Sequence, residues 1–257
     1  MAGKTWFITG ASRGFGREWA KAALERGDRV AATARDTSTL ADLQSAHGDA
    51  LLALALDVTD RERAFSTVAQ AHEHFGRLDI VVNNAGYGHF GTVEEISEQE
   101  ARAQIETNLF GALWVTQAAL PFLREQRGGH IVQVSSIGGI SAFPTVGIYH
   151  ASKWGLEGFS QALAQEVSEF GIHVTLIEPG GFSTDWSGPS SKRSEPIPAY
   201  DGLRERQQQW RASSVPKNTR SGGGSASTTR MIANADAPGS PGTLLARHCC
   251  WRSRTPS

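Results

Sequence analysis

The sequence predicts a doubly wound α/β fold, in which helices cover both faces of a parallel sheet. Six short, almost continuously apolar runs recur before residue 180, which is typical of strands buried on both faces. Amphipathic runs with helical spacing lie between them, as the crossover between two parallel strands requires. The third observation is a glycine-rich stretch directly after the first apolar run.

The predicted strands are each bounded by polar residues or glycine. In chain order they cover residues 5–8, 29–34, 51–56, 80–82, 130–134 and 173–177. Apolar side chains at helical spacing predict helices between them, for example over residues 15–26 and 156–167. Thr59 with Glu62, and Ser97 with Glu100, have the spacing of a capping box and so predict two helix starts.

The chain is predicted to change character near residue 211. Residues 1–211 form the folded domain, whereas 22 of the 46 residues 212–257 are Ser, Gly, Thr or Pro. Such a stretch cannot bury enough apolar area to offset its ordering entropy, so we expect a disordered tail. The net charge is −7 over residues 1–200 and +6 over residues 201–257, so the tail is basic.

The composition as a whole excludes several classes of protein. Lys and Arg number 25 against 26 acidic residues, which argues against a nucleic-acid-binding protein. No apolar run approaches the ~20 residues of a membrane span, and the N-terminus has no secretory-signal pattern. Cys249 and Cys250 are adjacent and cannot form a disulfide framework. We therefore expect a cytoplasmic protein with no nucleic-acid or membrane partner.

The glycine-rich stretch, residues 9–16, reads TGASRGFG. Gly10, Gly14 and Gly16 suit a tight turn whose backbone N–H groups, with the N-terminus of the next helix, face an anion. The spacing differs from the usual G-x-G-x-x-G. Glycine also ends strands for steric reasons, but the position between the first strand and the first helix favours a dinucleotide site.

Two arginines accompany this turn and bear on which dinucleotide binds. The acidic residue that would hold a ribose diol is expected at the end of the second strand, where Ala34 and then Arg35 stand. Arg13 lies inside the turn itself. Two guanidiniums suit a 2′-phosphate and predict NADP(H) rather than NAD(H). Alternatively both are solvated surface cations, and Asp36 neutralises Arg35.

A candidate catalytic group follows the fifth strand. Tyr149 and Lys153 are four residues apart on a predicted helix and so project from one face, with Ser136 upstream just past that strand. The alternative is a Tyr ring packed on a Lys stem. A free Tyr has a pKa of about 10, and one ammonium at ~4 Å supplies the ~4 kcal/mol that brings it toward 7. The three residues therefore suit proton donation to a carbonyl that receives a hydride.

These motifs occur together in one order. They are TGASRGFG, NNAG at residues 83–86, Asn108, Ser136, Tyr149-x-x-x-Lys153 and Pro179-Gly180. In this the chain resembles the short-chain dehydrogenases/reductases, in their NADP-preferring branch, from residue 4 to about residue 186. The resemblance implies a Rossmann-like, three-layer sheet and a nicotinamide cofactor.

The resemblance also implies roles for four residues. Tyr149 is the general acid/base, and Ser136 orients the substrate oxygen. Lys153 lowers the pKa of Tyr149 and holds the nicotinamide ribose. Asn108 anchors a water that extends the proton relay; a helix-interior Asn that bonds backbone is the alternative.

The cofactor would contact several loops at the carboxyl ends of the strands. Asp57 and Val58 would touch the adenine, although Asp57 is equally well interpreted as a turn residue. The full set implied for the cofactor is Gly10, Ser12, Arg13, Gly14, Phe15, Gly16, Arg35, Asp57, Val58, Asn84, Ala85, Gly86, Tyr149, Lys153, Pro179, Gly180 and Thr184.

The same loops carry apolar and aromatic residues that border the substrate in the family. They are Tyr87, His89, Phe90, Phe143, Val146, Phe182 and Trp186. Their character predicts a lipophilic ketone, aldehyde or secondary alcohol, unless these side chains only pack against the domain. The histidines predict no metal site, and His150 is expected to be a surface residue.

The chain departs from the family near Trp210. Relatives continue into a further helix and a seventh parallel strand, whereas this sequence becomes rich in Ser, Gly, Arg and Thr without apolar periodicity. One hypothesis is a frame shift that replaced the native end. The sixth strand is then predicted to be an unpaired edge. Dimerisation through the helices around residues 102–123 and 149–167 is expected, as in relatives.

The sequence thus predicts an NADP(H)-dependent oxidoreductase that interconverts an alcohol and a carbonyl. An NADP(H)-binding protein with little or no catalysis, a sensor or a decayed remnant, is the alternative that the altered tail favours. A lyase or epimerase on the same fold is a third, because fold and cofactor do not fix the reaction.

Overall fold

The computed structural model describes residues 3–180, 191–214 and 245–248 of the chain. The longer parallel strands are β1 Thr5–Ile8, β2 Arg29–Ala34, β3 Leu51–Ala55, β4 Ile80–Asn83, β6 Gly129–Val134 and β7 Ile172–Glu178, and the two-residue strand β5 is His89–Phe90. The six longer strands form one sheet in the order β3-β2-β1-β4-β6-β7. No end of a predicted strand differs from these bounds by more than one residue.

Helices lie between the strands, as predicted. They are α1 Gly14–Glu25, α2 Ala41–His47, α3 Arg61–Phe75, α4 Glu98–Ile105, α5 Gly111–Glu125, α6 Gly147–Glu166 and α7 Asp201–Ser214. A π-helical segment, Glu106–Phe110, joins α4 to α5. The doubly wound, three-layer, Rossmann-like α/β fold is therefore confirmed.

The hydrophobic core is divided by the sheet into two layers. Phe7 and Val81 belong to the cluster that packs against α3 and α5, whereas Ile8 and Val82 belong to the cluster that packs against α1. Successive strand residues point to opposite faces, so a continuous apolar run is what two covered faces require.

The strand order reverses between β1 and β4. The register pairs Phe7 of β1 with Ala31 of β2 on one side and with Val81 of β4 on the other. The chain winds outward through β2 and β3 and then returns to β4, so the loops after β1 and β4 diverge. Ligands of doubly wound sheets bind in the crevice at such a switch point.

One of the two predicted capping boxes is confirmed. Ser97 caps α4 by accepting from Glu100 N at 3.3 Å, and Glu100 Oε2 accepts from Ser97 N at 2.9 Å. The prediction at Thr59 is wrong, because Asp60 caps α3 by accepting from Arg63 N at 2.9 Å. A carboxylate one residue later competes successfully for the same backbone donors.

The carboxyl-terminal part differs from expectation at two points. Helix α7 extends past residue 211 to Ser214, and strand β9, Leu245–His248, pairs antiparallel with β7. The prediction that the sixth strand is an unpaired edge is therefore wrong, since β9 occupies the backbone groups of β7 from Thr175 to Glu178. The rest of the predicted tail lies outside the described residues.

A small second sheet stands beside the main one. Strand β8, Lys192–Arg193, pairs parallel with β5, with His89 opposite Lys192 and Phe90 opposite Arg193. Lys192 N donates to Gly88 O at 3.0 Å, which attaches β8 to the loop that follows β4. No helix in the described part of the chain is long and apolar enough to cross a membrane.

Candidate active site

The glycine-rich turn after β1 leaves no room for a side chain at Gly10 or Gly16. Gly10 has a φ of +65°, and a Cβ on Gly16 would lie 2.5 Å from both the Gly10 carbonyl oxygen and Asn84 Nδ2. Asn84 Nδ2 donates to Thr9 O at 2.9 Å and to Gly10 O at 3.1 Å, so the loop after β4 fixes the turn. Helix α1 begins at Gly14 without a side-chain cap. Its backbone N–H groups therefore suit the phosphates of a dinucleotide.

The two predicted phosphate-binding arginines are exposed. Arg13 immediately precedes α1 and Arg35 follows β2, and neither forms an ion pair with a described residue. The Asp36 carboxylate accepts from Ser38 N at 2.9 Å and caps a 3₁₀ turn. Asp36 therefore does not neutralise Arg35, and both guanidiniums face solvent beside the turn.

The remaining predicted residues of the adenosine side are placed in two loops. Ser12 is half-buried in the glycine-rich turn, where Phe15 also lies on the first turn of α1. Asp57 and Val58 follow β3, and Asp57 Oδ1 accepts from Thr59 N at 3.0 Å and Oγ1 at 2.8 Å. Asp57 is therefore a turn residue, and its contact with an adenine stays a prediction.

The loops after β4 and β7 supply the rest of the predicted cofactor side. The Cα of Ala85 lies 3.0 Å from where a Cβ on Gly10 would be. Pro179 O accepts from Ile137 N at 3.0 Å, which ties the end of β7 to the turn after β6. Gly180 is exposed, and Thr184 lies outside the described residues.

Tyr149 and Lys153 lie one turn apart on α6, 5% and 6% exposed. The Tyr149 hydroxyl is hydrogen-bonded to Ser136. Lys153 Nζ donates to Val134 O at 2.7 Å and lies 5.9 Å from the centre of the Tyr149 ring. The structure thus brings the predicted Ser, Tyr and Lys together at the carboxyl edge of the sheet.

Burial dominates the electrostatics of this group. It raises the pKa of Tyr149 to about 12, against the opposing effect of the hydrogen bond to Ser136. The prediction of a pKa near 7 is wrong, because burial of the phenol is the largest effect and it raises the pKa. Burial also lowers the pKa of Lys153 to about 8, and the Glu157 carboxylate counteracts this. At neutral pH, Tyr149 is a neutral proton donor beside a cation.

The loop that carries Ser136 is held against α6 by His150. Ser136 Oγ accepts from Gly138 N at 3.0 Å. His150 is 5% exposed, its Nδ1 lies 2.8 Å from Gly138 O, and its Nε2 accepts from Phe143 N at 2.8 Å. The prediction of a surface residue is wrong, because the helical direction of His150 leads into the loop after β6 rather than into solvent.

Asn108 lies in the π-helical segment and is 2% exposed. Its Oδ1 accepts from Tyr87 N at 3.1 Å, and its Nδ2 donates to Tyr87 O at 3.0 Å and to Ser152 Oγ at 3.1 Å. A Cβ on Gly86 would lie 3.1 Å from Asn108 Oδ1 and 3.8 Å from Lys153 Nζ. Asn108 therefore joins the loop after β4 to α6 beside the lysine, and π-helical turns often mark functional sites.

The predicted substrate border is only partly described. Phe90, Val146 and Tyr149 form one apolar cluster, whereas Phe143 is 44% exposed. His89 is 1% exposed and belongs to β5. Tyr87 is half-buried against Lys192 of β8, and Phe182 and Trp186 lie outside the described residues.

Sequence reasoning missed two buried polar residues of the site. Glu157 is 8% exposed one helical turn beyond Lys153, and Gln104 is 0% exposed one turn before Asn108. Gln104 Nε2 donates to Tyr87 O at 3.0 Å, beside the bond from Asn108. The sequence spacing could have indicated both residues, since each lies four positions from a predicted site residue and residues four apart on a helix share a face. No group of metal ligands occurs within the described residues.

Comparisons with known proteins agree with this geometry. The family model for short chain dehydrogenases matches residues 4–195. The chain is 48% identical over 203 residues to Oxidoreductase BOA17 of Botryotinia fuckeliana, with 77% of this chain and 74% of that protein covered. The chain belongs to the short-chain dehydrogenase family.

Solved structures of the family have the same fold. A short-chain dehydrogenase from Streptomyces avermitilis superposes with a TM-score of 0.80 at 41% identity, covering 90% of this chain and 83% of that one. A 3-ketoacyl-(acyl-carrier-protein) reductase from Brucella melitensis in complex with NADH gives 0.68 at 31% identity, covering 71% and 77%. This short-chain dehydrogenase is therefore an oxidoreductase of a family that binds a nicotinamide cofactor, NAD or NADP, and acts on small molecules.

Proposed function

We propose that this short-chain dehydrogenase interconverts an alcohol and the corresponding ketone or aldehyde with NADP(H), and that Tyr149 is its general acid/base. The observation that carries the proposal is the buried Tyr149 hydroxyl, which is hydrogen-bonded to Ser136 and lies one helical turn from Lys153. The cofactor, when bound, donates or accepts the hydride. The protein has to orient the carbonyl, exclude water and move one proton.

The proton moves in the direction that the pKa of Tyr149 favours. With a pKa of about 12, the phenol is neutral at physiological pH and can donate to a carbonyl oxygen as negative charge develops there. An alkoxide is a stronger base than a phenolate, so the transfer is favourable. Ser136, in its hydrogen bond with Tyr149, orients that oxygen.

Lys153 acts through its charge. Its ammonium is held in place by Val134 O at 2.7 Å, and buried charges act strongly because the surroundings screen them weakly. Lys153 stabilises the phenolate left after proton donation and holds the ribose hydroxyls of the cofactor. Asn108 holds the loop after β4 against α6 and supports a water that returns the proton to Tyr149.

The choice of NADP(H) rests on the two exposed arginines and the absence of a carboxylate at position 34. Arg13 and Arg35 lie beside the turn without ion-pair partners among the described residues, so a 2′-phosphate meets two available guanidiniums. The Brucella melitensis relative was solved with NADH. Comparing kcat/KM for NADPH and NADH tests the proposal, and a preference for NADH contradicts it.

The proposed substrate is a lipophilic carbonyl compound or alcohol. Phe90 and Val146 pack on Tyr149 itself, so the wall next to the proton donor is apolar. One relative is named for reducing a 3-ketoacyl chain, which is a lipophilic ketone. A panel of aliphatic, aromatic and polyhydroxylated carbonyls tests this; strong preference for sugars or anionic substrates contradicts it.

A dimer through α4–α5 and α6 and a cytoplasmic location complete the proposal. A groove of about 250 Å³ lies between these helices, lined by the apolar Ala101, Ile105, Phe110 and Ile148 and by the charged Arg102 and Glu106, and Trp154 on α6 is 53% exposed. Apolar surface of this kind suits a second copy of the chain. Sedimentation of the purified protein as a monomer at all concentrations contradicts the dimer.

The experiment that tests the function as a whole follows NADPH absorbance with the carbonyl panel. Turnover that disappears in Tyr149→Phe supports the enzyme. NADPH binding with no turnover of any substrate favours instead the cofactor-binding protein without catalysis.

A further inference from the structure

Glu95 is a carboxylate buried outside the catalytic group. Its side chain is 2% exposed, and it forms an ion pair with Arg204 of α7. Its Oε2 accepts from Thr92 N at 2.7 Å, and its Oε1 accepts from Ile197 N at 2.8 Å. A charge removed from water needs such a complete set of partners, so this contact is specific in geometry.

Arg204 extends the contact into α7. Its Nη2 donates to Ile197 O at 2.6 Å and to Asp201 Oδ1 at 2.9 Å. Glu95 and Arg204 together therefore bond both the N–H and the C=O of Ile197. Segment 192–207, which comprises β8 and the first half of α7, is attached through them to the chain between β5 and α4.

The other end of this segment contacts a strained turn. Gln207 Nε2 donates to Pro144 O at 2.9 Å, and Thr145 Oγ1 donates to Gln207 Oε1 at 3.1 Å. Thr145 has a φ of +65°, which a β-branched residue rarely adopts. Strained residues persist only where neighbouring contacts hold them, and here Gly91 N also donates to Thr145 O at 2.8 Å.

The strained turn leads directly into the catalytic helix. Val146, the next residue, is bridged to Gly91 and packs with Phe90 on Tyr149, and α6 begins at Gly147. Contacts therefore run without interruption from Glu95 through α7 to the apolar wall against which the Tyr149 ring lies.

We propose that Glu95 is a positioning residue of this enzyme: by docking segment 192–207 through Arg204, it holds the turn at Thr145 and with it the Phe90–Val146 wall beside Tyr149. This role rests on the proposed function, since a wall matters only if a substrate reacts there. Glu95 itself touches neither Tyr149 nor the glycine-rich turn, so cofactor binding does not depend on it.

The test compares Glu95→Gln with Glu94→Gln in the full chain. Glu94 is the matched control because it is exposed and, within the described residues, its carboxylate accepts a hydrogen bond from Tyr200 Oη at 2.6 Å, on the same segment. In Glu95→Gln we expect the amides of Gly91 and Ile197 to exchange with deuterium at least about tenfold faster, because a buried partner of Arg204 has been neutralised. We expect kcat/KM for the carbonyl substrate to fall at least about tenfold, with NADPH affinity within about twofold of wild type. We expect Glu94→Gln to leave the amide exchange rates, kcat/KM and the NADPH affinity unchanged.

A second variant separates positioning from simple loss of folding. Gln207→Ala removes the contact with residues 144 and 145 and leaves the bonds of Arg204 to Glu95 and Ile197 in place. We expect Gln207→Ala to lower kcat/KM while the Ile197 amide stays protected from deuterium exchange. The double variant Glu95→Gln/Gln207→Ala should lose no more kcat/KM than the more impaired single variant, since both substitutions act along one path of contacts.

The outcomes are distinguishable. The proposal is overturned if Glu95→Gln and Glu94→Gln have the same amide exchange rates and the same kcat/KM. It is also overturned if the loss of activity in Glu95→Gln comes entirely from weaker NADPH binding. Faster exchange in Glu95→Gln, in a protein whose wild type turns over no carbonyl, supports the docking contact and refutes the proposed function instead.

Discussion

Replacing Glu157 with glutamine should move the alkaline limb of the pH–activity profile to lower pH. Lys153 has a pKa of about 8, held up by the carboxylate of Glu157 one helical turn away. Removing this negative charge takes away the effect that opposes burial, so burial alone then acts on the pKa of Lys153 and lowers it further. The Lys153 pKa in Glu157→Gln should therefore lie below the value of about 8 that it has in the wild type.

The consequence is measurable at neutral pH. A group with a pKa of about 8 is about 90% protonated at pH 7, and a drop of one pH unit or more leaves at most about half of it protonated, so kcat at pH 7 should fall at least about twofold. Tyr149, with a pKa of about 12, stays neutral in both proteins and does not contribute to this limb.

The assay is the pH dependence of carbonyl reduction between pH 5 and 10 at saturating NADPH. The control is Glu166→Gln, because Glu166 is an exposed carboxylate at the end of the same helix. We expect Glu157→Gln to approach wild-type activity at the acidic end and Glu166→Gln to reproduce the wild-type profile throughout. An alkaline limb at the same pH in wild type and Glu157→Gln would refute the reasoning, as would a uniform loss at every pH.

Three further results are expected. Gly16→Ala places a Cβ 2.5 Å from Asn84 Nδ2 and Gly10 O, so NADPH affinity in a fluorescence titration should fall by more than about tenfold; unchanged affinity contradicts the phosphate site. Arg35→Ala should raise the KM for NADPH by about tenfold and leave that for NADH unchanged; equal effects contradict the 2′-phosphate role. Leu123→Ala, at a fully buried position, should lower the free energy of unfolding in urea by about 2–5 kcal/mol, and a change below about 1 contradicts its place in the core.

Much of the fold could be predicted because its strands are buried on both faces. A run such as that around Phe7 and Ile8 has to be apolar at every position, since one residue faces α3 and α5 and the next faces α1. The right-handed crossover between neighbouring parallel strands then follows. The candidate catalytic group was equally accessible, because Tyr149 and Lys153 share a helix face at fixed spacing.

What could not be predicted depends on contacts between distant parts of the chain. Glu95 and Arg204 are far apart in sequence, and no local pattern pairs them. The pKa of Tyr149 was misjudged because sequence supplies the charge of Lys153 but neither the burial of the phenol nor the Val134 carbonyl that the ammonium bonds. His150 was misplaced because its direction on α6 was known but the loop that it faces was not.

The central claim, that the Tyr149 hydroxyl donates the proton, is tested most directly by a single-turnover measurement with bound NADPH. Wild type and Tyr149→Phe, each first shown by fluorescence to be saturated with NADPH, are mixed with the best carbonyl of the panel. We expect the rate of NADPH oxidation to fall by at least about 10²-fold in Tyr149→Phe at equal occupancy, as the loss of a general acid predicts. Equal rates in the two proteins would contradict the account.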